Sequence, residues 1–299
     1  MNESRHKISV IMSVYNGENF LSEQLLSIAN QSYPISELII IDDCSTDGSI
    51  ELIKSLSHSF PFEIKIIKNT ENIGPIKSFE KGLKNASHDI LSFTDQDDVW
   101  LESKIKNLVL KASEKLVQND KAYLLFSDLI VVDKSLNLIS KSFLKFINVK
   151  PFHSANQLFV QNFVTGCTCI FNRKLVDLCL PFPEEVIMHD WWLALVANYL
   201  GEIDFFDEGT HLYRQHQNNV IGAKSPLKNF FKKPQKVILN FKNTLKQTEI
   251  FLNKLPKQQN KLSPLPKPGF KRALWIIKND CLASGKIRNF KNILLSLFF

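Results

Sequence analysis

The stretch Asp89–Trp100, DILSFTDQDDVW, decides how this chain is read. Ile90 to Phe93 is a short apolar run of strand type, and it stops on Asp95, Asp97 and Asp98. A segment of helical spacing, Leu101 to about Leu116, follows it. In an open α/β sheet, ligand chemistry gathers where strands end at their carboxyl edge. Three carboxylates within four residues repel one another, so they sit together most comfortably around a cation. Hard oxygen ligands suit Mg2+ or Mn2+, ions that also hold phosphate oxygens. The plain alternative is an acidic turn in water, and the flanking sequence distinguishes the two.

Upstream, the same grammar repeats. Ile8–Val14 is an apolar strand closed by a Tyr15-Asn16-Gly17 turn, and Glu18–Gln31 has helical spacing. Leu38–Ile41 is a second strand, ending on Asp42-Asp43, with Ser49 to about Ser57 as the helix behind it. Ile64–Ile67 is a third strand, and Pro75 opens a helix to about Asn85. Strands that are continuous apolar runs, alternating with helices, predict a mainly parallel sheet covered on both faces. Downstream the pattern is less regular. Strands are expected at Tyr123–Phe126, Gly166–Phe171, Ile203–Phe206 and His211–Gln215, with helices over 151–163 and Asp190–Tyr199.

Composition narrows the class. The chain has 299 residues, 44% of them hydrophobic, which is enough for a large core. No apolar run reaches the length of a membrane span, and MNESRHK has no signal core. Five cysteines without paired spacing predict reduced thiols and a cytoplasmic setting, with Cys167 and Cys169 in the core. The net charge of +7 is uneven: residues 224–299 hold 17 Lys and Arg against 2 Asp and Glu, leaving 20 against 28 in residues 1–223. The boundary is therefore expected at 223/224, with a catalytic domain before it and a basic extension, broken into helices by Pro256, Pro264, Pro266 and Pro268, after it. Such an extension points to an anionic membrane surface or nucleic acid. Nucleic acid is disfavoured because the folded core is net negative.

Two further clusters carry chemistry. His189-Asp190-Trp191-Trp192 sets an acid at a helix start beside two tryptophans. Trp191 and Trp192 could pack on sugar rings, and Asp190 could take a proton from a hydroxyl. An N-cap acid with core tryptophans is the simpler reading of the same residues. In Tyr213-Arg214-Gln215-His216, Arg214 could meet a phosphate and His216 a metal.

Taken together, these stretches resemble the family 2 glycosyltransferases, which have the GT-A fold. ISVIMSVYNG, IIIDDCSTDGS, the NIG at 72–74, SFTDQDDVW and HDWW occur in the family's order and spacing, over about residues 7–222. TDQDDVW, HDWWLAL and YRQHxxNxxG look like the bacterial rhamnosyltransferase-like branch, which builds O-antigen or cell-wall polysaccharides. The resemblance implies that Ser13, Tyr15 and Asp43 form the nucleotide-base pocket. It implies that Asp95 and Asp97 meet the ribose and the metal-bound diphosphate, and that His216 lies near that metal. Asp190 matches the base of inverting enzymes. The Gln-x-x-Arg-Trp motif of processive synthases is missing, which implies transfer of one or a few sugars. The expected donor is dTDP-rhamnose, with UDP-hexoses next. The expected acceptor is a lipid-linked oligosaccharide at the inner face of the cytoplasmic membrane. A sugar-nucleotide nucleotidyltransferase is the rival class, but it needs a basic Gly-rich loop after the first strand, where Tyr15-Asn16-Gly17 stands.

Overall fold

In the computed structural model, which describes residues 6–117, 120–154, 156–216, 234–255 and 262–298, one nine-stranded sheet organises the chain. Its parallel half is β3 (Glu63–Lys68), β2 (Glu37–Asp42), β1 (Ile8–Val14) and β4 (Ile90–Thr94), side by side in that order. Side chains alternate between the two faces, as strand geometry requires. Ile11, Ile39 and Ile41 enter one core; Val10, Met12, Leu38 and Ile40 enter the other. Helices α1 (Glu18–Ala29), α2 (Ser49–Ser57), α3 (Gly74–Asn85) and α4 (Lys104–Val117) follow the strands, as the alternation predicts.

The other half departs from a mainly parallel sheet. β6 (Ala122–Val132) pairs antiparallel with β8 (Cys169–Asn172), and β8 pairs antiparallel with β4. β9 (Gly201–Arg214) runs parallel to β6, and the short β5 (Val99–Trp100) and β7 (Leu138–Ser140) add antiparallel edges. The sheet is thus mixed. The two expected late strands are one strand with a bulge, because Asp207 and Glu208 fall between the pairs Phe206–Ser127 and Gly209–Asp128. At that bulge a Cβ on Gly209 would lie 2.6 Å from Ile130 Cγ1, so the close approach needs glycine.

The helix expected over 151–163 is an irregular segment with one 3-10 turn at Gln157–Phe159. Its backbone is satisfied from elsewhere. Asn156 N–H donates to Asp280 O, and Gln157 Nε2 donates to Lys150 O. Tertiary partners of this kind override helix propensity. Short helices α5 (Phe143–Phe146) and α6 (Arg173–Cys179) lead on to α7 (His189–Leu200).

Beyond the sheet come α8 (Pro234–Lys254), α9 (Phe270–Lys278) and α10 (Lys286–Ser296). The expected boundary at 223/224 lies outside the described residues. The described helices share the main core: Phe241, Leu245, Phe251, Trp275 and Ile276 belong to the same cluster as Phe93 and Trp192. Thr248 Oγ1 donates to Phe159 O at 2.9 Å, tying α8 to the 151–163 segment. Among the described residues, no helix is long and apolar enough to cross a membrane.

Candidate active site

Parallel register brings the strand ends to one edge. Val14 lies opposite Asp42, and Met12 opposite Thr94, so the loops holding Tyr15, Asp43 and Asp95 are neighbours. Gln96 locks two of them together. Its Oε1 accepts from Tyr15 N–H at 2.9 Å, and its Nε2 donates to Tyr15 O at 3.1 Å. Gly17 closes the same corner, where a Cβ would meet Gln96 Oε1 at 2.5 Å. The Tyr15 ring stays exposed, while Ser13 is half-buried on β1.

Asp43 is buried and caps α3, not the α2 that follows it in sequence. Its carboxylate accepts from Ile73 N–H and Gly74 N–H, both at 2.8 Å, and from Asn69 Nδ2 at 2.9 Å. An ionised carboxylate offers about four lone-pair sites, so one remains for a further donor.

The acid cluster at the end of β4 is held by groups remote in sequence. β5 pairs with β9, with Val99 opposite Leu212, and this pairing delivers residues 214–216 to Asp97 and Asp98. His216 Nε2 lies 2.8 Å from Asp97 Oδ2, and its ring stacks on Phe20. Burial, with Asp98 and Asp97 nearby, raises the Asp95 carboxyl to about 7. Burial and Asp98 raise Asp97 to about 6, against the pull of His216. Burial also raises Asp98 to about 6, opposed by the Arg214 N–H and the Lys104 charge.

Arg214 does not face outward, as a phosphate ligand would. It is 3% exposed, and its guanidinium donates to Asp97 O, Lys134 O and Glu23, while its backbone N–H donates to Asp98 Oδ1. The sequence expectation of a phosphate contact is corrected here: these partners occupy the fork, and the residue braces the acid loop instead.

Beneath the loop lies a lysine that belongs to none of the sequence motifs. Lys104 is fully buried at the start of α4. Its Nζ donates to Cys167 O at 2.5 Å, lies 3.4 Å from His211 Nδ1, and sits 4.1 Å from the centre of the Trp100 ring. Burial lowers it to about 8, with Asp98 and Asp95 among the groups holding it up. Asp98, Cys167 and His211 also bring ligand atoms within 4.8 Å of one another. An ammonium already lies against that trio, and a thiol is a poor ligand for hard Mg2+ or Mn2+. We therefore assign the trio to the support of the loop.

Asp190 opens α7, and the edge near β8 receives it. It is 8% exposed. Gly166 N–H donates to its Oδ2 at 2.9 Å and Asn162 Nδ2 to its Oδ1 at 3.2 Å. A Cβ on Gly166 would stand 2.8 Å from His189 Nε2, so the approach requires glycine. Burial raises Asp190 to about 7, and Asp95 adds to the shift. Neither Gly166 nor Asn162 was singled out from sequence. His189 is buried between Phe79 and Phe93, and burial lowers it to about 3.

The tryptophans divide. Trp192 is core, with Nε1 donating to Cys179 O and Phe251 edge-on to its ring, which corrects the sugar-stacking expectation for this residue. Trp191 is half-buried, and its Nε1 donates to Leu158 O at 2.7 Å. Asn219 and Gly222, which close the YRQHxxNxxG run, lie outside the described residues.

The fold and this edge define an open α/β protein whose ligand chemistry belongs at the carboxyl ends of its parallel strands. The chain belongs to glycosyl transferase family 2, whose model matches residues 9–177, and it is a glycosyltransferase with the GT-A fold. It is 30% identical over 238 residues to a dTDP-rhamnosyl transferase, RfbG, of Shigella flexneri, an overlap covering 74% of this chain and 77% of that one. In structure it resembles S. aureus TarS 1-349 in complex with UDP-GlcNAc, with a TM-score of 0.57 at 17% identity, covering 97% and 90% of the two chains. It also resembles a mannosyltransferase, PcManGT, of Pyrobaculum calidifontis in complex with GDP-Man and Mn2+, with a TM-score of 0.57 at 16% identity, covering 98% and 86%. At these identities the structural likeness speaks for the fold.

Proposed function

We propose that this enzyme is an inverting, divalent-metal-dependent transferase that moves rhamnose from dTDP-rhamnose to a saccharide acceptor in bacterial surface polysaccharide synthesis. One observation carries the reading: register and pairing set Asp43, the Asp95–Asp97 loop and Asp190 around one edge, from elements far apart in sequence. The acceptor is a lipid-linked oligosaccharide at the inner face of the cytoplasmic membrane, and the basic C-terminal segment meets that surface.

In this reading the open lone-pair site of Asp43 takes an N–H of the nucleotide base. The exposed Tyr15 ring packs on that base, Ser13 lines the pocket, and Asp95 meets the ribose. Asp190 removes the proton of the acceptor hydroxyl as its oxygen bonds to the anomeric carbon and the bond to the diphosphate breaks. Gly166 N–H and Asn162 aim the carboxylate, and Trp191 flanks the acceptor. By ligand chemistry two carboxylates and an imidazole suit Mg2+ or Mn2+, and Asp97, Asp95 and His216 would be the ligands, with His216 Nε2 already 2.8 Å from Asp97 Oδ2. Such an ion would offset the charge that develops on the leaving diphosphate. The identity to RfbG supports rhamnose as the transferred sugar. UDP-hexoses are the second reading of the donor, because TarS of the same fold was captured with UDP-GlcNAc.

The test of the donor is a panel of nucleotide sugars, read by thermal stabilisation and by release of nucleoside diphosphate with Mn2+ present. The largest response should come from dTDP-rhamnose, and a larger response to a UDP-hexose would move the assignment to that donor. The metal ligands make two further predictions. Asp97→Ala should abolish Mn2+-dependent nucleotide binding while leaving the fold intact, and unchanged binding would remove Asp97 from the site. The raised carboxyls also fix the direction of the pH dependence. Below about pH 6 they carry protons that a metal must displace, so Mn2+ affinity should rise with pH through about 6 to 7, with protons released. Calorimetry in two buffers of different ionisation enthalpy measures that release, and an affinity flat across this range would count against carboxylate ligation.

A further inference from the structure

The last two helices carry large apolar side chains on their outward side. On α9, Phe270 (70% exposed), Leu274 (46%) and Ile277 (49%) recur at i, i+4 and i+7. On α10 and just beyond it, Phe290 (70%), Leu294 (41%) and Phe298 (68%) recur at i, i+4 and i+8. Both spacings draw a single stripe along a helix. Polar residues of the same helices point inward: Arg272, Asn292 and Ser296 are buried. Arg272 Nε donates to Pro266 O at 2.5 Å, and Ser296 Oγ to Ile293 O at 2.6 Å. The inward side of α9 also has its own apolar anchors, since Trp275 and Ile276 pack in the main core. The outward residues are therefore additional to those that hold the helix in place.

The two stripes belong to one corner of the molecule. Gly269 N–H, next to Phe270, donates to Ser296 O at 3.2 Å, two residues before Phe298. Exposed lysines flank the stripes, Lys267, Lys271 and Lys278 with α9 and Lys286 with α10. Residues 262–298 carry seven Lys and Arg against one acid, Asp280.

We propose that the outward face of α9 and α10 is a docking surface for an anionic lipid bilayer. Phenylalanine and leucine side chains would enter the headgroup–acyl boundary, and lysines would reach the phosphates around them. Charge selects this occupant. A second copy of the chain would bring an equally basic face against this one, whereas an anionic membrane neutralises it. The inference rests on the membrane contact proposed above and assigns it to one face. It differs from a loose basic tail, because Trp275 and Ile276 of α9 pack in the main core and Arg288 of α10 donates to Ile147 O and Asn148 O.

The experiment uses the full chain, without donor or metal, in co-sedimentation with vesicles of phosphatidylglycerol and phosphatidylethanolamine, and with vesicles of phosphatidylcholine alone. The protein should bind the first, bind the second at least tenfold less, and lose binding as salt rises. Leu274→Glu with Phe290→Glu should lower binding to anionic vesicles by tenfold or more. Leu110→Glu, at an exposed leucine on α4 away from this face, should leave it unchanged. All three positions are exposed, so each variant should unfold at the wild-type temperature and keep nucleotide-dependent thermal stabilisation. Wild-type binding that survives the double substitution overturns this face while leaving the membrane contact in place. No binding to anionic vesicles by the wild type overturns both, and the donor panel then judges the transferase reading separately. A wild-type dimer that the double substitution converts to monomer, without vesicle binding, assigns the face to a second copy and also overturns the proposal.

Discussion

Asp190→Asn is expected to slow glycosyl transfer by about 10²–10⁴-fold while leaving nucleotide-sugar affinity near the wild-type value. The asparagine can still accept from Gly166 N–H, so the start of α7 keeps its place. It cannot take a proton. The reach of the effect follows from the site: the carboxylate is buried, held by two donors, and raised to about 7, where a base is matched to neutral conditions. The pH profile gives a second readout. With Mn2+ saturating throughout, wild-type transfer should rise as pH increases through about 7, because only the ionised carboxylate accepts the proton. The variant should lose that limb. Steady-state rates and donor titrations on both proteins decide the matter. A variant with weakened donor binding and preserved turnover would make Asp190 a binding residue and place the base elsewhere.

Lys104→Met should destabilise the folded protein by about 3–5 kcal/mol near neutral pH, the usual cost of removing one partner from a buried charged set. Methionine nearly fills the same volume, so little of the loss should come from a cavity. The loss falls on Asp98 and Asp95, whose carboxyls the lysine charge favours in the ionised state. With the ammonium gone, those acids should hold protons to higher pH. The gap between variant and wild type should therefore shrink as pH falls below about 6, where Asp98 is protonated in both. Urea unfolding across that range measures it. Adding Asp98→Asn to the variant should recover much of the loss, because the unpaired charge is then gone. If the double variant is as unstable as the two single losses summed, Lys104 acts through packing alone.

Much of this was legible in the chain. β1, β2 and β4 are continuous apolar runs, and each ends on the polar residues that now line the edge. A parallel strand covered on both faces has to look that way. Asp43, Asp95 and Asp97 could be picked out because acids at such strand ends have few other reasons to gather. Lys104 also left a signal. It falls on the buried stripe of α4, in step with Leu108 and Ala112 at i+4 and i+8, so a charged residue occupies a core position. Asn162 left none, since it sits in an irregular segment whose path is set by contacts with the C-terminal helices.

The sequence by itself determined the class of fold, the sheet edge where the strands end on acids and which acids stand there, because those follow from local periodicity and from where apolar runs stop. Only the tertiary structure decided which polar groups are free and which are engaged. Arg214 looked available for a phosphate, yet its side-chain partners stand 117, 80 and 191 residues away in the chain. Trp191 and Trp192 are adjacent in sequence, but successive residues on a helix point about 100° apart. One is therefore sealed under Phe251, while the other is only half-buried. Asp43 precedes α2 in sequence, yet its carboxylate holds the start of α3. A side chain's hydrogen-bonding capacity is filled by whatever the fold brings within about 3 Å, and no local pattern states what that will be.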